Sequence, residues 1–187
     1  ELLIRTTNGN PFYLEQLIEY FSESNLLDRK EGVWHIKDAS IKLSNSINAI
    51  LTARIDRLSS LVQETVKAAA VIGREFEVPV LSEVMIRQNA FQEEEGDVQT
   101  VLTEQINVAE RSQIWRAMNE LRYIFKHSLL REVAYDMQLR TRLRELHLTI
   151  AKAIEKVYQT QLEQKYVDLA FHYEQAEVAN KTQEYLI

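Results

Sequence analysis

The sequence predicts a mainly α-helical fold carrying small β-hairpins, and three observations support that expectation. Glycine and proline are scarce, four and two among 187 residues, so little interrupts helix formation. Apolar residues recur at three- and four-residue spacing through most of the chain, as they do on one face of a helix. Two short stretches, 26–37 and 112–127, instead gather β-branched and aromatic residues about a turn.

The elements follow in order. Residues 1–7 are expected to end a helix. In NGNPFYLEQL, Asn10 can cap a new helix and Pro11 suits its first position, where a missing N–H is no loss. Leu14, Leu17, Ile18 and Phe21 then form the apolar face of a helix over 11–25. LLDRKEGVWHIK, 26–37, reads as a hairpin turning at Arg29–Gly32. A helix over 45–59 should bury Ile47, Ile50, Leu51, Ile55 and Leu58, with Ser44 or Ser46 as its cap. The next, 60–72, stops at Gly73, and its small Ala68, Ala69 and Ala70 admit a close neighbour. A short helix starts near Pro79 with Val80, Leu81, Val84 and Met85 inward. QNAFQEEEGD, 88–97, breaks the period with acid and glycine and is expected to be a mobile loop.

Val98, Val101, Leu102 and Ile106 predict another helix, and SQIWRAMNELRYIFKH two strands about a turn at Met118–Glu120. Leu129, Leu130, Val133 and Ala134 resume the helical period. Leu139, Leu143, Leu146, Ile150 and Ile154 extend it in a long helix to about Tyr158. Residues 162–187 read as two antiparallel helices. The order helix, helix, helix, hairpin over 44–127 is the plan of a winged helix. The last helical pair resembles the start of a solenoid, since such a pair expects neighbours to cover its faces.

Composition bounds the function. The apolar fraction, 45%, and the charged fraction, 27%, are ordinary for a globular protein. With no cysteine there is no disulfide framework and no thiolate metal site. That fits a reducing compartment, and the chain is expected to be cytoplasmic. No run approaches the ~18 apolar residues of a membrane helix, and no signal-peptide pattern opens the chain, so no membrane partner is expected. The chain opens in mid-pattern at Glu1, Leu2, Leu3 and Ile4, as expected of a piece cut from a longer polypeptide. Net charge is −6, which argues against general binding to a phosphate backbone. Residues 111–144, with eight basic and three acidic side chains, are locally +5.

Few side chains suggest chemistry on their own. His127 follows a predicted strand and opens a helix, where free backbone N–H groups favour an anion; on the residues alone, capping or packing is the simpler reading. His35, His147 and His172 are scattered, no HExxH occurs, and no zinc site is expected. His147 shares helical spacing with Leu143, Leu146 and Ile150 and should be partly buried. No GxSxG elbow is present. Arg140, Arg142 and Arg144 point around a helix, as solvated or ion-paired residues do.

Four stretches, TTNGNPFYLEQL, ILTARIDRLS, AAAVIGREF and YIFKHSLLREVAYDMQLRTRLRELH, come in the order and spacing of one family. The chain resembles the signal-transduction ATPases with numerous domains, relatives of the AAA+ ATPases, in the branch linked to nucleotide cyclases, protein kinases and sensor histidine kinases. A fifth stretch, LAFHYEQAEVANKTQEYL, is similar to the start of the tetratricopeptide-like repeats that follow in that family. The chain departs from the family at Leu43–Ser44, where Leu-Pro is common, and in 88–97 and 112–117.

The resemblance implies three parts: the end of a helical lid with a small hairpin (1–43), a winged-helix domain (44–127), and a helical region leading into repeats (128–187). It implies that Gly9, Asn10 and Pro11 pack beside the adenine of bound ATP or ADP and that His127 meets the β-phosphate of ADP. Pro11 and His127 would then face one shared cleft. No GxxxxGK(S/T) occurs, so the phosphates would be held by an amino-terminal P-loop domain, and this part alone would not be an enzyme. Downstream repeats and an attached output domain are the other implied partners; nucleic acid is not. Two rivals stay open: a DNA-binding winged helix reading with helix 79–87, and a helical scaffold without ligand.

Overall fold

The computed structural model describes residues 11–23, 26–30, 33–37, 47–90 and 97–186. By backbone contact the chain divides into two compact units, 1–57 and 58–187. The helix expected over 1–7, the caps at Ser44 and Ser46, and most of the acidic loop lie outside the described residues.

In the first unit, α1 (Pro11–Glu23) is followed by the hairpin β1 (Leu27–Lys30) and β2 (Val33–Ile36), then by α2 (Ile47–Asp56). The hairpin register pairs Leu27 with Ile36 and Lys30 with Val33. The Leu26 N–H donates to the Phe21 carbonyl and the Lys37 N–H to that of Leu26, fastening the hairpin to the end of α1. Leu17, Phe21 and Ile50 form a small core, covered by Leu26, Leu27 and Ile36. The apolar face of α1 thus meets Leu26, Leu27 and Ile36 on one apolar seam. Trp34 is exposed, with the Arg29 guanidinium 5.8 Å from its ring centre.

The second unit opens with α3 (Ser60–Ile72), where the Ser59 hydroxyl accepts from the Val62 N–H. Val62, Thr65, Val66 and residues 68–71 are buried. Thr65 is tolerated there because its hydroxyl donates to the Leu61 carbonyl at 2.9 Å. Gly73 ends the helix at φ +159. Strand β3 (Glu75–Glu77) runs into α4 (Val78–Arg87), followed by α5 (Val98–Arg111), β4 (Trp115–Asn119) and β5 (Arg122–Phe125). The strands form an antiparallel sheet in the order β3-β5-β4.

Two details differ from the sequence expectation. The turn between β4 and β5 falls at Glu120–Leu121, leaving Met118 within a strand. Strand β3 was not foreseen, because three residues are too few to show alternation. Its Phe76 supplies the reason for the sheet's existence. The Phe76 ring lies 4.9 Å from Trp115 and 6.0 Å from Phe125, both edge-on, and stacks 5.9 Å from Tyr123. The Trp115 indole N–H donates to the Ile106 carbonyl at 3.1 Å, tying α5 to the sheet.

The unit continues with α6 (Ser128–Asp136), α7 (Arg140–Val157), a 3-10 turn (Leu162–Lys165), α8 (Tyr166–Gln175) and α9 (Ala179–Leu186). Leu146, His147, Ile150, Ala151, Ala153 and Ile154 make the buried stripe of α7. Leu139, expected on that stripe, precedes the helix as its cap and is exposed. Tyr185, near the end of α9, lies 5.4 Å from Tyr166 at the start of α8 and stacks 5.8 Å from Tyr173, so these two helices run antiparallel.

Candidate functional site

Gly9 and Asn10 lie outside the described residues; Pro11 is the exposed first residue of α1 in the first unit. His127 belongs to the second unit. Backbone bonds deliver it: the Phe125 N–H donates to the Arg74 carbonyl, and the Lys126 N–H to that of Ile114. With φ −135 and ψ 140, His127 is extended and stands as the N-cap of α6, half-buried, with no capping bond from its side chain. The Leu130 N–H turns back to its carbonyl at 3.2 Å. An imidazole beside the first turn of a helix offers an N–H donor and a favourable local potential to an anion.

The helix expected to read DNA, 79–87, is poorly placed to do so. Val80, Leu81, Ser82, Glu83, Val84 and Met85 of α4 are all buried. Glu83 accepts from Arg87 Nε at 2.7 Å and from Lys156 Nζ on α7 at 2.7 Å, so its charge serves an internal junction. The outward polar helix is α5, whose Gln99, Thr100, Thr103, Glu104, Asn107 and Arg111 line a shallow groove with one basic and one acidic side chain.

A second constellation was not visible along the chain. The carboxylate of Glu77, at the end of β3, receives the Tyr158 hydroxyl, Arg122 Nη2 at 3.2 Å and Lys165 Nζ at 3.2 Å. Burial alone would raise its pKa, but these donors more than offset it and hold the carboxyl below its ordinary value. Burial, and then the same bond, push the Tyr158 phenol up. Glu77, Arg122 and Lys165 edge a cleft of about 270 Å³ with Glu75, Asp168 and His172. Its two cations face three carboxylates, which makes it a junction between the sheet, α7 and α8 in place of an anion site.

The third constellation joins two of the histidines that look scattered in sequence. His147 Nδ1 on α7 and His172 Nδ1 on α8 lie 2.8 Å apart. Tyr135 Oη on α6 lies 3.0 Å from His147 Nε2. Both imidazoles are almost wholly buried, which lowers their pKa values, to about 4 for His147 and about 3 for His172. Arg131 adds to the effect at His147; at His172 the neighbouring His147 and then Arg131 do so. The sequence signal was the apolar spacing around His147; nothing in it pairs that residue with one 25 positions away. Among the described residues no three histidine or carboxylate side chains gather to hold a metal ion, and no helix is long and apolar enough to cross a membrane. Compared with protein-family models, curated proteins and solved structures, the chain finds no match.

Proposed function

We propose that this chain is a regulatory part of a nucleotide-dependent signalling ATPase of the signal-transduction class, coupling ADP or ATP state to an attached output domain. The observation that carries it is the run from α3 to β5: helix, strand, helix, helix, strand, strand, with sheet order β3-β5-β4. That run supports a winged helix with β4 and β5 as its wing. His127 follows the wing by one residue and opens α6. On this reading α1 and the hairpin end a helical lid, and α8 and α9 begin a tetratricopeptide-like array. The P-loop that holds the nucleotide is supplied by another domain of the polypeptide, since no GxxxxGK(S/T) occurs in these residues.

The mechanism is a population shift. ADP favours a closed arrangement through an imidazole-phosphate contact at His127 and an apolar contact of Pro11 with the base. Exchange for ATP releases it. The ligand must bind the two arrangements unequally, and His127 is the residue that senses the difference. His127→Ala in the full-length protein is expected to weaken ADP binding about 10-fold, the worth of one charge-assisted hydrogen bond, and to leave ATP binding much less affected. Titration with a fluorescent ADP analogue reads this out; equal losses for both nucleotides would remove the proposal. Direct DNA reading is the weaker alternative, because α4 is buried and the outer face of α5 is close to neutral. A gel shift at low salt is expected to show no complex.

A further inference from the structure

The buried imidazole pair carries an inference of its own, because hydrogen-bond accounting fixes its protons. Two Nδ1 atoms 2.8 Å apart can share only one hydrogen: two lone pairs would repel, and two N–H groups would collide. Tyr135 decides which ring holds it. Its hydroxyl hydrogen is satisfied by donation to His147 Nε2, 3.0 Å away, which leaves that nitrogen bare. The shared proton then belongs to His147 Nδ1, His172 Nδ1 is bare, and His172 carries its own hydrogen on Nε2.

We propose that Tyr135, His147 and His172 form a one-way chain of neutral hydrogen bonds that acts as a latch: it closes only when α8 is seated, and it then fixes α6. Each side chain comes from a different helix, α6, α7 and α8 in that order. Helix α6 is the element the latch steers; the ties of Arg131, and of Gln138 just past its end, run to α3. Arg131 Nε donates to the Ala70 carbonyl at 2.8 Å, with its guanidinium 5.2 Å from the Tyr135 ring, and Gln138 Nε2 donates to the Lys67 carbonyl at 3.3 Å. If α8 leaves, the His147 N–H loses its acceptor, and the orientation it gives Tyr135 is lost. On the function proposed above, α6 begins at His127, so the latch would carry the seating of the terminal helical hairpin to the nucleotide contact. That last step rests on that function; the latch itself does not.

Nitrogen-15 spectra of the uniformly labelled chain at neutral pH test the proton assignment directly. The expected pattern is a proton on Nδ1 and none on Nε2 of His147, with the reverse at His172. A proton on His147 Nε2 would overturn the chain. Amide hydrogen exchange tests the steering. His172→Leu is expected to speed exchange across residues 130–135 of α6 about tenfold, although Tyr135 stands one residue removed from the change. His172→Asn places an amide oxygen near the vacated Nδ1 position and should keep α6 exchange within about threefold of the parent. Unchanged α6 exchange in His172→Leu, or equal acceleration in both variants, would overturn the steering. Should His172→Leu fail to fold, the spectra of the parent chain still decide the assignment. Neither readout involves nucleotide, so the latch and the ATPase proposal stand or fall separately.

Discussion

Burial lowers the proton affinity of His147 and His172, and that sets a pH window for stability. Their folded pKa values, about 4 and about 3, lie below the ordinary value of 6.5. Above 6.5 both the folded and the unfolded chain hold neutral imidazoles, and the stabilisation is fully present. As the pH falls below 6.5 the unfolded chain takes up protons that the folded chain refuses, so stability is lost. The slope should approach 1.4 kcal/mol per pH unit for each imidazole, roughly, down to the folded pKa values. Glu77 and Glu155, both held below the carboxylate value, lose their contributions only nearer and below pH 4.5. Urea midpoints between pH 6.5 and 5 therefore isolate the histidines. They should fall with pH in the parent chain and stay nearly flat in a His147→Phe/His172→Leu chain. Trp115 is a different kind of residue. It is wholly buried against Phe76 and Phe125, and its indole N–H is satisfied at Ile106. Trp115→Ala is expected to cost about 3–5 kcal/mol, read as a drop in the urea midpoint.

Helix ends show why some elements were legible in the sequence and others not. Helix α3 could be read to the residue because Gly73 marks its end and apolar residues recur at helical spacing from Leu61 to Val71. At Gly73, φ +159 suits glycine, and a Cβ would stand 3.2 Å from the Glu75 carbonyl oxygen. Helices α4, α5 and α8 end without that marker. Their chains leave through Asn89, Gln113 and Glu177 at φ 53, 60 and 58. In each, the next N–H reaches back five residues: Ala90 to Met85, Ile114 to Ala109, Val178 to Tyr173. This is a Schellman ending, usually built on glycine. The turn residues here are polar and ordinary, so no glycine announces these ends in the sequence. The strain they carry is removable: Gln113→Gly or Glu177→Gly is expected to raise stability by about 0.5–1 kcal/mol, the αL penalty less the added freedom of the unfolded chain. Thermal unfolding of the two single variants checks it.

At the scale of the whole molecule, periodicity revealed the local elements and could not reveal which distant side chains converge. Helices and the β4–β5 hairpin announce themselves within a dozen residues. The imidazole pair and the carboxylate junction join different elements, and a buried charge such as Glu83 looks in sequence like any solvated helix position. The His127 start was legible because a strand signal and a helix signal meet there; its chemistry entered only through resemblance. Pro11 and His127 lie in different units, and each is described within its own.

The Glu77 junction carries a further consequence, in time. The partners of its carboxylate stand 45, 81 and 88 positions along the chain, at Arg122, Tyr158 and Lys165. Contacts that close such long loops form after the local helices have been made. Glu77→Gln should therefore leave the refolding limb of a chevron in place and speed unfolding about fivefold, for a loss of about 1 kcal/mol. A slowed refolding limb would mean that the sheet's base is gripped early, and that the carboxylate belongs to the nucleus from which the unit condenses.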